Sequence, residues 1–242
     1  MTEDRPAFYA LSPGGWRDYA SLLHPPYTLW HLSYVAIGAS LAPEVNVGWL
    51  LETLAAFFLA MGVAAHALDE LHGRPLRTRI PDRVLVGMAV VGLAGAVALG
   101  VHGTVEASPW LWAFIAVGGF LVVAYNLELL GGAFHSDLWF ALAWGAFPVL
   151  TASFAQTATV RPEAVLAAAG CAAISAAQRV LSTPVRRLRR QVAEVQGSLT
   201  LSDGSTEPLD ASVLRAAPEG ALRWLSAAMP LLAAALLVVR VA

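Results

Sequence analysis

The stretch VGWLLETLAAFFLAMGVAAHALDELHGRPLRTR, residues 47–79, joins a long apolar run to a short segment rich in histidine, carboxylate and arginine. The apolar part, residues 47–65, is close to the roughly 20 residues that a helix needs to cross a bilayer. The polar part, residues 66–79, carries two histidines, an Asp-Glu pair and three arginines. We therefore predict a membrane-spanning helix whose end places a polar cluster at one face of the membrane.

The whole chain has the composition of an integral membrane protein. Of its 242 residues, 57% are hydrophobic and 13% are charged, whereas a soluble domain has roughly a quarter charged residues. The net charge of −2 gives no indication of a nucleic-acid partner. Long apolar runs recur, and we predict an all-α integral membrane protein with about seven transmembrane helices. The predicted spans are residues 27–42, 47–70, 84–102, 109–128, 137–156, 162–182 and 218–240.

These spans divide the chain into four regions. Residues 1–26 are predicted to be a cytoplasmic or interfacial N-terminal segment, 27–184 a six-helix membrane core, and 218–242 a C-terminal transmembrane helix. In the remaining region, 185–217, apolar and arginine residues take opposite faces of a predicted interfacial amphipathic helix. The sequence GSLTLSDGSTEPL that follows alternates apolar and polar residues around a Ser-Asp-Gly turn and predicts a hairpin.

Arginine placement predicts the orientation, because loops rich in basic residues stay in the cytoplasm. Arginines precede the first predicted helix, fill the loop after the second, and follow the sixth, whereas the loops at 42–47 and 102–109 have none. We predict a cytoplasmic N-terminus, seven crossings and an external C-terminus in a prokaryotic plasma membrane. The arginines concerned are Arg5, Arg17, Arg74, Arg77, Arg79, Arg83, Arg186, Arg187, Arg189 and Arg190.

Most histidines and four carboxylates fall at the cytoplasmic ends of the predicted helices. On the second helix, His66, Asp69 and Glu70 have the i, i+3, i+4 spacing of one helix face, a spacing with which helical bundles hold metal ions. Ionisable groups in a membrane domain usually face a cavity or each other. We predict a site open to the cytoplasm with these three as catalytic residues. The predicted metal ligands are His66, Asp69, Glu70, Glu128, His135, Asp137 and His31.

Each of these side chains also has a structural interpretation, in which it caps a helix end or pairs with an arginine. His24 is interpreted as an interfacial residue. Arg74 and Arg77 lie close enough in sequence to the carboxylates to bind an anionic head group or a diphosphate, although they also anchor the cytoplasmic side. Tyr125 and Trp139 are predicted to line a lipid cavity, with core packing as the alternative. The run RRLRR, residues 186–190, is interpreted as a site of head-group attraction.

Three segments resemble the UbiA superfamily of intramembrane prenyltransferases. They are HPPYTLWHLSYVAIGASLAP (24–43), AAHALDELHGRPLRTRIP (64–81) and YNLELLGGAFHSDLWFALAWGAFPVLTASF (125–154). The second falls where that family has its first aspartate motif, at the cytoplasmic end of helix two. The resemblance implies a UbiA-like helical bundle. It also implies Mg²⁺ held by two aspartate motifs, a bound polyprenyl diphosphate, and an allylic cation that alkylates an acceptor.

The chain departs from the family pattern at both motifs. Aligned on Asp69, the family's Asn and first Asp are Ala65 and His66, and its last Asp is Gly73. At the second motif the sequence AAQRVLSTPVRRLRR has no carboxylate, and the family has about nine helices. Imidazole together with carboxylate suits iron, manganese or zinc better than magnesium. We therefore expect a divalent metal cofactor, with iron or manganese favoured over magnesium and zinc as a further option.

The leading hypothesis is a UbiA-like, metal-dependent intramembrane enzyme that acts on an isoprenoid or acyl substrate from the cytoplasmic face. One alternative is a di-iron lipid oxidase or desaturase, and another is a non-catalytic isoprenoid-binding protein. A transporter is disfavoured because the sequence has no inverted repeats and no mid-helix charges. The expected partner is a membrane lipid or isoprenoid substrate; no nucleic acid is expected, and the sequence predicts no particular protein partner.

Overall fold

The structure, a computed structural model, describes residues 5–241; residues 1–4 and 242 of the predicted terminal regions lie outside it. The regular secondary structure of the described chain is helical apart from one hairpin. Its helices are α1 (Trp16–Leu22), α2 (Pro25–Ser40), α3 (Val47–Phe57), α4 (His66–Leu71), α5 (Asp82–Glu106), α6 (Leu111–Asn126), α7 (Leu129–Gly132), α8 (Asp137–Ala141), α9 (Phe147–Thr157), α10 (Pro162–Arg190) and α11 (Ala211–Val241). The hairpin strands are β1 (Ser198–Thr200) and β2 (Thr206–Pro208).

Five helical segments of the described chain are long and apolar enough to cross a membrane, which confirms the predicted class in part. They are Val47–Leu71, Asp82–Glu106, Asp137–Thr157, Pro162–Arg190 and Ala211–Val241. Their outer faces carry large aliphatic side chains such as Val91, 71% exposed, and Val239, 78% exposed. Exposed aliphatic side chains on helices of this length are typical of contact with lipid. Helices α2 and α6 coincide with the other two predicted spans, but each has 16 residues, fewer than the roughly 20 of a full crossing.

Two of the long segments contain π-helical turns. One, Phe58–Ala65, joins α3 to α4, and the other, Leu142–Ala146, joins α8 to α9. Such turns are rare and are frequently found at functional sites. Glycine allows the second segment to pack closely, since a Cβ on Gly145 would lie 2.7 Å from the Cys171 carbonyl oxygen of α10. Met61 of the first turn and Trp144 of the second are buried, and both line the two cavities described below.

The region after the sixth predicted span differs from the prediction. The predicted amphipathic helix is not a separate element, because α10 continues through Pro184 and ends at Arg190. The hairpin is confirmed: β1 and β2 are antiparallel, with Ser198 opposite Pro208. Helix α11 begins at Ala211, before the predicted start at residue 218. The arginines of residues 186–190 therefore have positions fixed by the helical rotation of α10.

The N-terminal segment folds back onto the arginine-rich end of the bundle. The buried carboxylate of Asp18 accepts hydrogen bonds from the Gly14 amide at 2.9 Å and from the Arg79 amide at 3.0 Å. The guanidinium of Arg190 in turn donates to the Pro6 carbonyl at 3.2 Å. These contacts hold residues 6–9 over the helix ends, where they form one wall of the cavity described next.

Candidate functional site

A polar cavity, here called the chamber, opens at the arginine-rich end of the bundle. It encloses about 1080 Å³ of empty space, counted to its open mouth. The N-terminal segment, α2, α4, α6, α8, α10 and both π-helical turns contribute to its walls. Its ionisable lining residues are His24, His31, His66, His135, Asp69, Arg179, Arg186, Arg190, Tyr9, Tyr27 and Tyr125. Four of the six histidines of the chain thus line one space, and three of them, His31, His66 and His135, are among the predicted ligands.

Three of these imidazoles are oriented in the same way by the backbone. The Nδ1 atoms of His31, His66 and His135 lie 2.9, 3.1 and 3.0 Å from carbonyl oxygens, those of Trp144, Gly62 and Tyr125. A carbonyl only accepts, so Nδ1 carries the proton in each neutral ring, and Nε2 is left as an acceptor. The chamber therefore contains three imidazoles whose Nε2 atoms can accept a proton or a hydrogen bond from a ligand.

His24 and Tyr9 complete the wall formed by the N-terminal part of the chain. The His24 ring stacks on the His66 ring with centroids 4.1 Å apart. The centroid of the Tyr9 ring lies 5.2 Å from that of His24. His24 adopts a left-handed backbone conformation, with φ of 45°, just before α2. Burial, followed by the proximity of His66 and Arg190, lowers the pKa of His24 well below its usual value. Burial likewise raises the pKa of the Tyr9 hydroxyl, so both groups stay neutral at pH 7.

The arginines of the chamber come from one face of α10. Arg179, Arg186 and Arg190 have the i, i+7, i+11 spacing that brings side chains to the same side of a helix. Arg179 donates from Nε to Asp137 at 2.8 Å and lies over the Phe140 ring. Each guanidinium has five N–H donors, of which these contacts use few. The chamber wall is therefore positively charged and well suited to phosphate or carboxylate oxygens.

Two buried polar atoms of the chamber lining have no hydrogen-bond partner within residues 5–241. They are the Tyr125 hydroxyl and the Gln178 side-chain oxygen Oε1. Leaving a buried polar group unpaired costs about 1–3 kcal/mol, and such groups are therefore commonly satisfied by a bound ligand or water. Both atoms are consistent with a polar ligand in this space.

A second cavity, here called the groove, adjoins the chamber and is almost entirely apolar. It has about 960 Å³ of empty space and lies between α3, α5, α6, α9 and the π-helical turns. Met61 and Trp144 line both cavities. From Met61 the groove follows its helix back to Trp49, a distance of about 18 Å at 1.5 Å per residue. A charged chamber thus opens beside an apolar space more than half as long as a bilayer core.

Glu70, predicted as a catalytic and metal-binding residue, is not among the residues that line the chamber. The side chain is 1% exposed, and its carboxylate accepts hydrogen bonds from the Leu76 amide at 2.9 Å and the Thr78 amide at 2.8 Å. Helix α4 ends at Leu71 and the chain folds back beneath it, so Glu70 anchors this loop. Its neighbour Asp69 does line the chamber.

Glu128 and Asp137 also lie outside the chamber lining. Glu128 is exposed at the rim, with Oε1 3.9 Å from His72 Nε2 and 3.8 Å from His135 Nδ1, and Asp137 is exposed and paired with Arg179. Within residues 5–241, no three His, Cys, Asp or Glu side chains are grouped closely enough to hold a metal ion. The chamber offers one carboxylate among imidazoles and guanidiniums, and this donor set does not fit the two-ion carboxylate cage that the resemblance to UbiA prenyltransferases implies.

The predicted substrate residues are only partly placed at the site. Tyr125 lines the chamber as expected. Arg74 instead pairs with Asp82 and donates to the Ile80 carbonyl at 2.6 Å, and Arg77 is exposed to solvent. Trp139 packs against Phe134 with ring centroids 4.9 Å apart, outside the lining of the chamber. Arg74 thus satisfies backbone carbonyls of the loop after α4, and Trp144 rather than Trp139 lines the chamber.

The sequence interpretation missed the contribution of α10. The spacing of Gln178, Arg179, Arg186 and Arg190 places these side chains on one helix face. This spacing indicates a shared site only if the helix is known to continue past Pro184. His24 was also missed, because its side chain reaches the chamber through a left-handed turn that the sequence does not specify. No family model, curated protein or solved structure matches the chain.

Proposed function

We propose that this protein is a membrane-embedded enzyme that acts on a single-chain lipid with an anionic head group, an isoprenoid or acyl phosphate. The head group binds in the chamber and the chain lies in the groove. One observation carries this proposal: the arginine-lined chamber and the apolar groove share Met61 and Trp144 as lining residues. The resemblance to UbiA prenyltransferases favours the same ligand class. We further propose that α2 and α6 also cross the membrane and that the chamber faces the cytoplasm.

The charge of the chamber supports an anionic head group. Arg179, Arg186 and Arg190 bring three cationic groups to a space that contains one carboxylate, Asp69. Bidentate guanidinium–phosphate pairs are among the strongest hydrogen bonds in proteins. The unpartnered Tyr125 hydroxyl supplies a further donor at the same wall.

The composition of the groove supports a flexible hydrocarbon chain. Its lining is aliphatic and aromatic apart from a few polar residues, among them Glu52, Thr53 and Thr151. Its length of about 18 Å suits an extended chain rather than a compact apolar molecule. Burial of that chain gives about 0.8 kcal/mol per CH₂ group, so the groove contributes affinity while the chamber contributes selectivity.

The imidazoles support a catalytic role at the head-group end. His66 and Asp69 remain the proposed catalytic residues, because both line the chamber and Nε2 of His66 can take a proton from an acceptor molecule. A second candidate function is non-catalytic binding of the same lipid. It is favoured because, within residues 5–241, no three His, Cys, Asp or Glu side chains are grouped closely enough to hold the metal ions that the resemblance to UbiA prenyltransferases implies.

The ligand class can be tested with purified protein in detergent and a C20 isoprenyl monophosphate as the probe. The corresponding alcohol is the matched control. We expect the monophosphate to bind at least about tenfold more tightly, since charge-assisted hydrogen bonds contribute about 1.5–3 kcal/mol. Arg186→Gln removes this preference, whereas Arg187→Gln, at an exposed position one residue along α10, retains it. Equal binding of alcohol and monophosphate, or equal effects of the two variants, would contradict the proposal.

The two candidate functions are separated by His66→Gln. If the protein is an enzyme, this variant no longer converts the bound lipid, whereas its affinity for the monophosphate stays within about threefold. Conversion is measured by mass spectrometry in a membrane extract that supplies the acceptor. If wild-type protein leaves the lipid unchanged in the same extract and still binds it, the non-catalytic function is correct.

A further inference from the structure

Helices α2 and α10 carry a series of polar side chains from the centre of the bundle into the chamber. At its inner end the Ser175 hydroxyl donates to the Tyr34 hydroxyl at 3.2 Å, and both residues are completely buried. The two helices are antiparallel, because the first turn of α2 and the last turn of α10 both line the chamber. One turn closer to the chamber mouth on each helix are His31 and Gln178, and both line the chamber. These two side chains therefore lie opposite each other at its inner end.

His31 and Gln178 both present a hydrogen-bond acceptor at this point. His31 is 6% exposed, and its Nδ1 proton is directed to the Trp144 carbonyl, so Nε2 is an acceptor. Gln178 is 3% exposed, and its Oε1 has no hydrogen-bond partner within residues 5–241. Two acceptors cannot bond each other, and a fully ionised phosphate has acceptors only. The pair therefore calls for a second ligand with two donor hydrogens.

Water is the neutral ligand that best meets this requirement. It has two donor hydrogens, and ordered water commonly satisfies buried polar groups in proteins. A primary ammonium group also has enough donors, but it would add positive charge beside the chamber residues Arg179, Arg186 and Arg190. The two acceptors therefore favour water over an amine.

This pair of acceptors adjoins the proposed head-group site. The centre of the Phe140 ring lies 6.0 Å from that of His31, and the Arg179 guanidinium carbon lies 5.4 Å from the same Phe140 centre. The carbonyl that orients His31 belongs to Trp144, which lines both the chamber and the groove. A water molecule held by His31 and Gln178 is thus near the junction at which the phosphate and the chain of the lipid meet.

We propose that His31 and Gln178 hold a water molecule as the nucleophile and that the protein hydrolyses an isoprenyl monophosphate, an inference that rests on the proposed function. The water oxygen forms a bond to phosphorus, and the bond between phosphorus and the lipid oxygen breaks. His31 Nε2 takes one proton from the water, and the imidazoles of the chamber, His66 included, return a proton to the departing lipid oxygen. The products are the lipid alcohol and inorganic phosphate, and no oxidant or reductant is needed.

Purified protein in detergent, incubated in H₂¹⁸O with the C20 isoprenyl monophosphate and without membrane extract, tests this reaction. We expect inorganic phosphate to be released with one ¹⁸O atom in each molecule and the alcohol to contain none, as measured by mass spectrometry. Incorporation of ¹⁸O into the alcohol would contradict attack at phosphorus. Conversion that occurs only after the extract is added would show that the acceptor is not water.

Variants of the two residues test the assignment of the water. We expect His31→Gln to slow phosphate release at least about 100-fold, since it removes the base, and Gln178→Met at least about tenfold, since it removes one of the two groups that position the water. The control Ser182→Ala changes another chamber residue of α10, whose hydroxyl already donates to the Arg179 carbonyl at 3.3 Å. Its phosphate release should stay close to that of wild type. Equal rates in Gln178→Met and Ser182→Ala would overturn the role of Gln178.

Monophosphate affinity, measured on the same samples, shows whether each variant is folded and separates this inference from the proposed function. Both variants of the water site should bind the monophosphate about as tightly as wild type, because the arginines that bind the phosphate are unchanged. If wild-type protein prefers the monophosphate to the alcohol but releases no phosphate, hydrolysis is excluded and the proposed ligand class stands. If wild-type protein shows no such preference, the proposed function itself fails.

Discussion

The loop between α4 and α5 and the last turns of α10 are both rich in arginine, yet the two regions use their guanidinium groups differently. In the loop, Arg74 is bound to Asp82 and to backbone carbonyls of its own loop. On α10, Arg186 and Arg190 line the chamber. A short loop places its charges by satisfying its own backbone, whereas a helix places them by periodicity. The density of arginines along the sequence therefore indicates which end of the bundle is rich in positive charge, but it does not indicate which arginines line the binding site.

The largest effect that tests this comparison is expected at Glu70. Glu70→Ala leaves the Leu76 and Thr78 amides without their acceptor, and we expect the free energy of unfolding to fall by about 3 kcal/mol, since each buried unpaired donor costs about 1–3 kcal/mol. The affinity of the folded protein for the isoprenyl monophosphate should stay within about threefold. Asp69→Asn is the neighbouring control. A chemical denaturation series that gives both variants the same stability would show that Glu70 does not anchor the loop.

The next effect concerns the groove. Ala56→Phe places a ring in the groove lining, and we expect affinity for a C20 isoprenyl monophosphate to fall about tenfold, because overpacking typically costs 1–3 kcal/mol. Affinity for a C5 monophosphate should hardly change. Ala55→Phe, at an exposed position one residue earlier, is the control. Calorimetric titration of both ligands checks this, and equal losses for short and long chains would place the chain elsewhere.

The smallest expected effect is that of metal removal. Because the chamber's positive charge comes from arginines, dialysis against EDTA should change monophosphate affinity by less than about twofold. Metal analysis of the purified protein before and after dialysis provides the control. If chelation abolished binding and iron or manganese restored it, the result would instead support a metal-dependent enzyme.

Much of the fold could be predicted from the sequence, because membrane-spanning length and apolar composition are local properties. Helices occur at all seven predicted positions, five of them with spanning length, and the hairpin forms around Ser202–Asp203–Gly204 as expected. His31, His66, His135 and Asp69, which the sequence predicts to lie at one membrane level, line the same chamber.

The choice of residues that line the chamber depends on the rotation of each helix about its axis, and the sequence constrains this rotation weakly. Residues 69 and 70 differ by about 100° on a helix, and this difference separates Asp69, which lines the chamber, from Glu70, which is buried in the loop contact. The π-helical turn that precedes α4 alters that rotation. Local hydropathy contains no signal for it, so the carboxylate facing the chamber could not be chosen in advance.

The ratio of alcohol to monophosphate dissociation constants, measured in wild type, Arg186→Gln and Arg77→Gln, tests the central claim most directly. It isolates the contribution of the phosphate group and compares the two arginine-rich regions in one quantity. We predict a ratio of at least about ten in wild type, close to one in Arg186→Gln, and unchanged in Arg77→Gln. A ratio that falls in Arg77→Gln and persists in Arg186→Gln would contradict the assignment of the head-group site to the chamber.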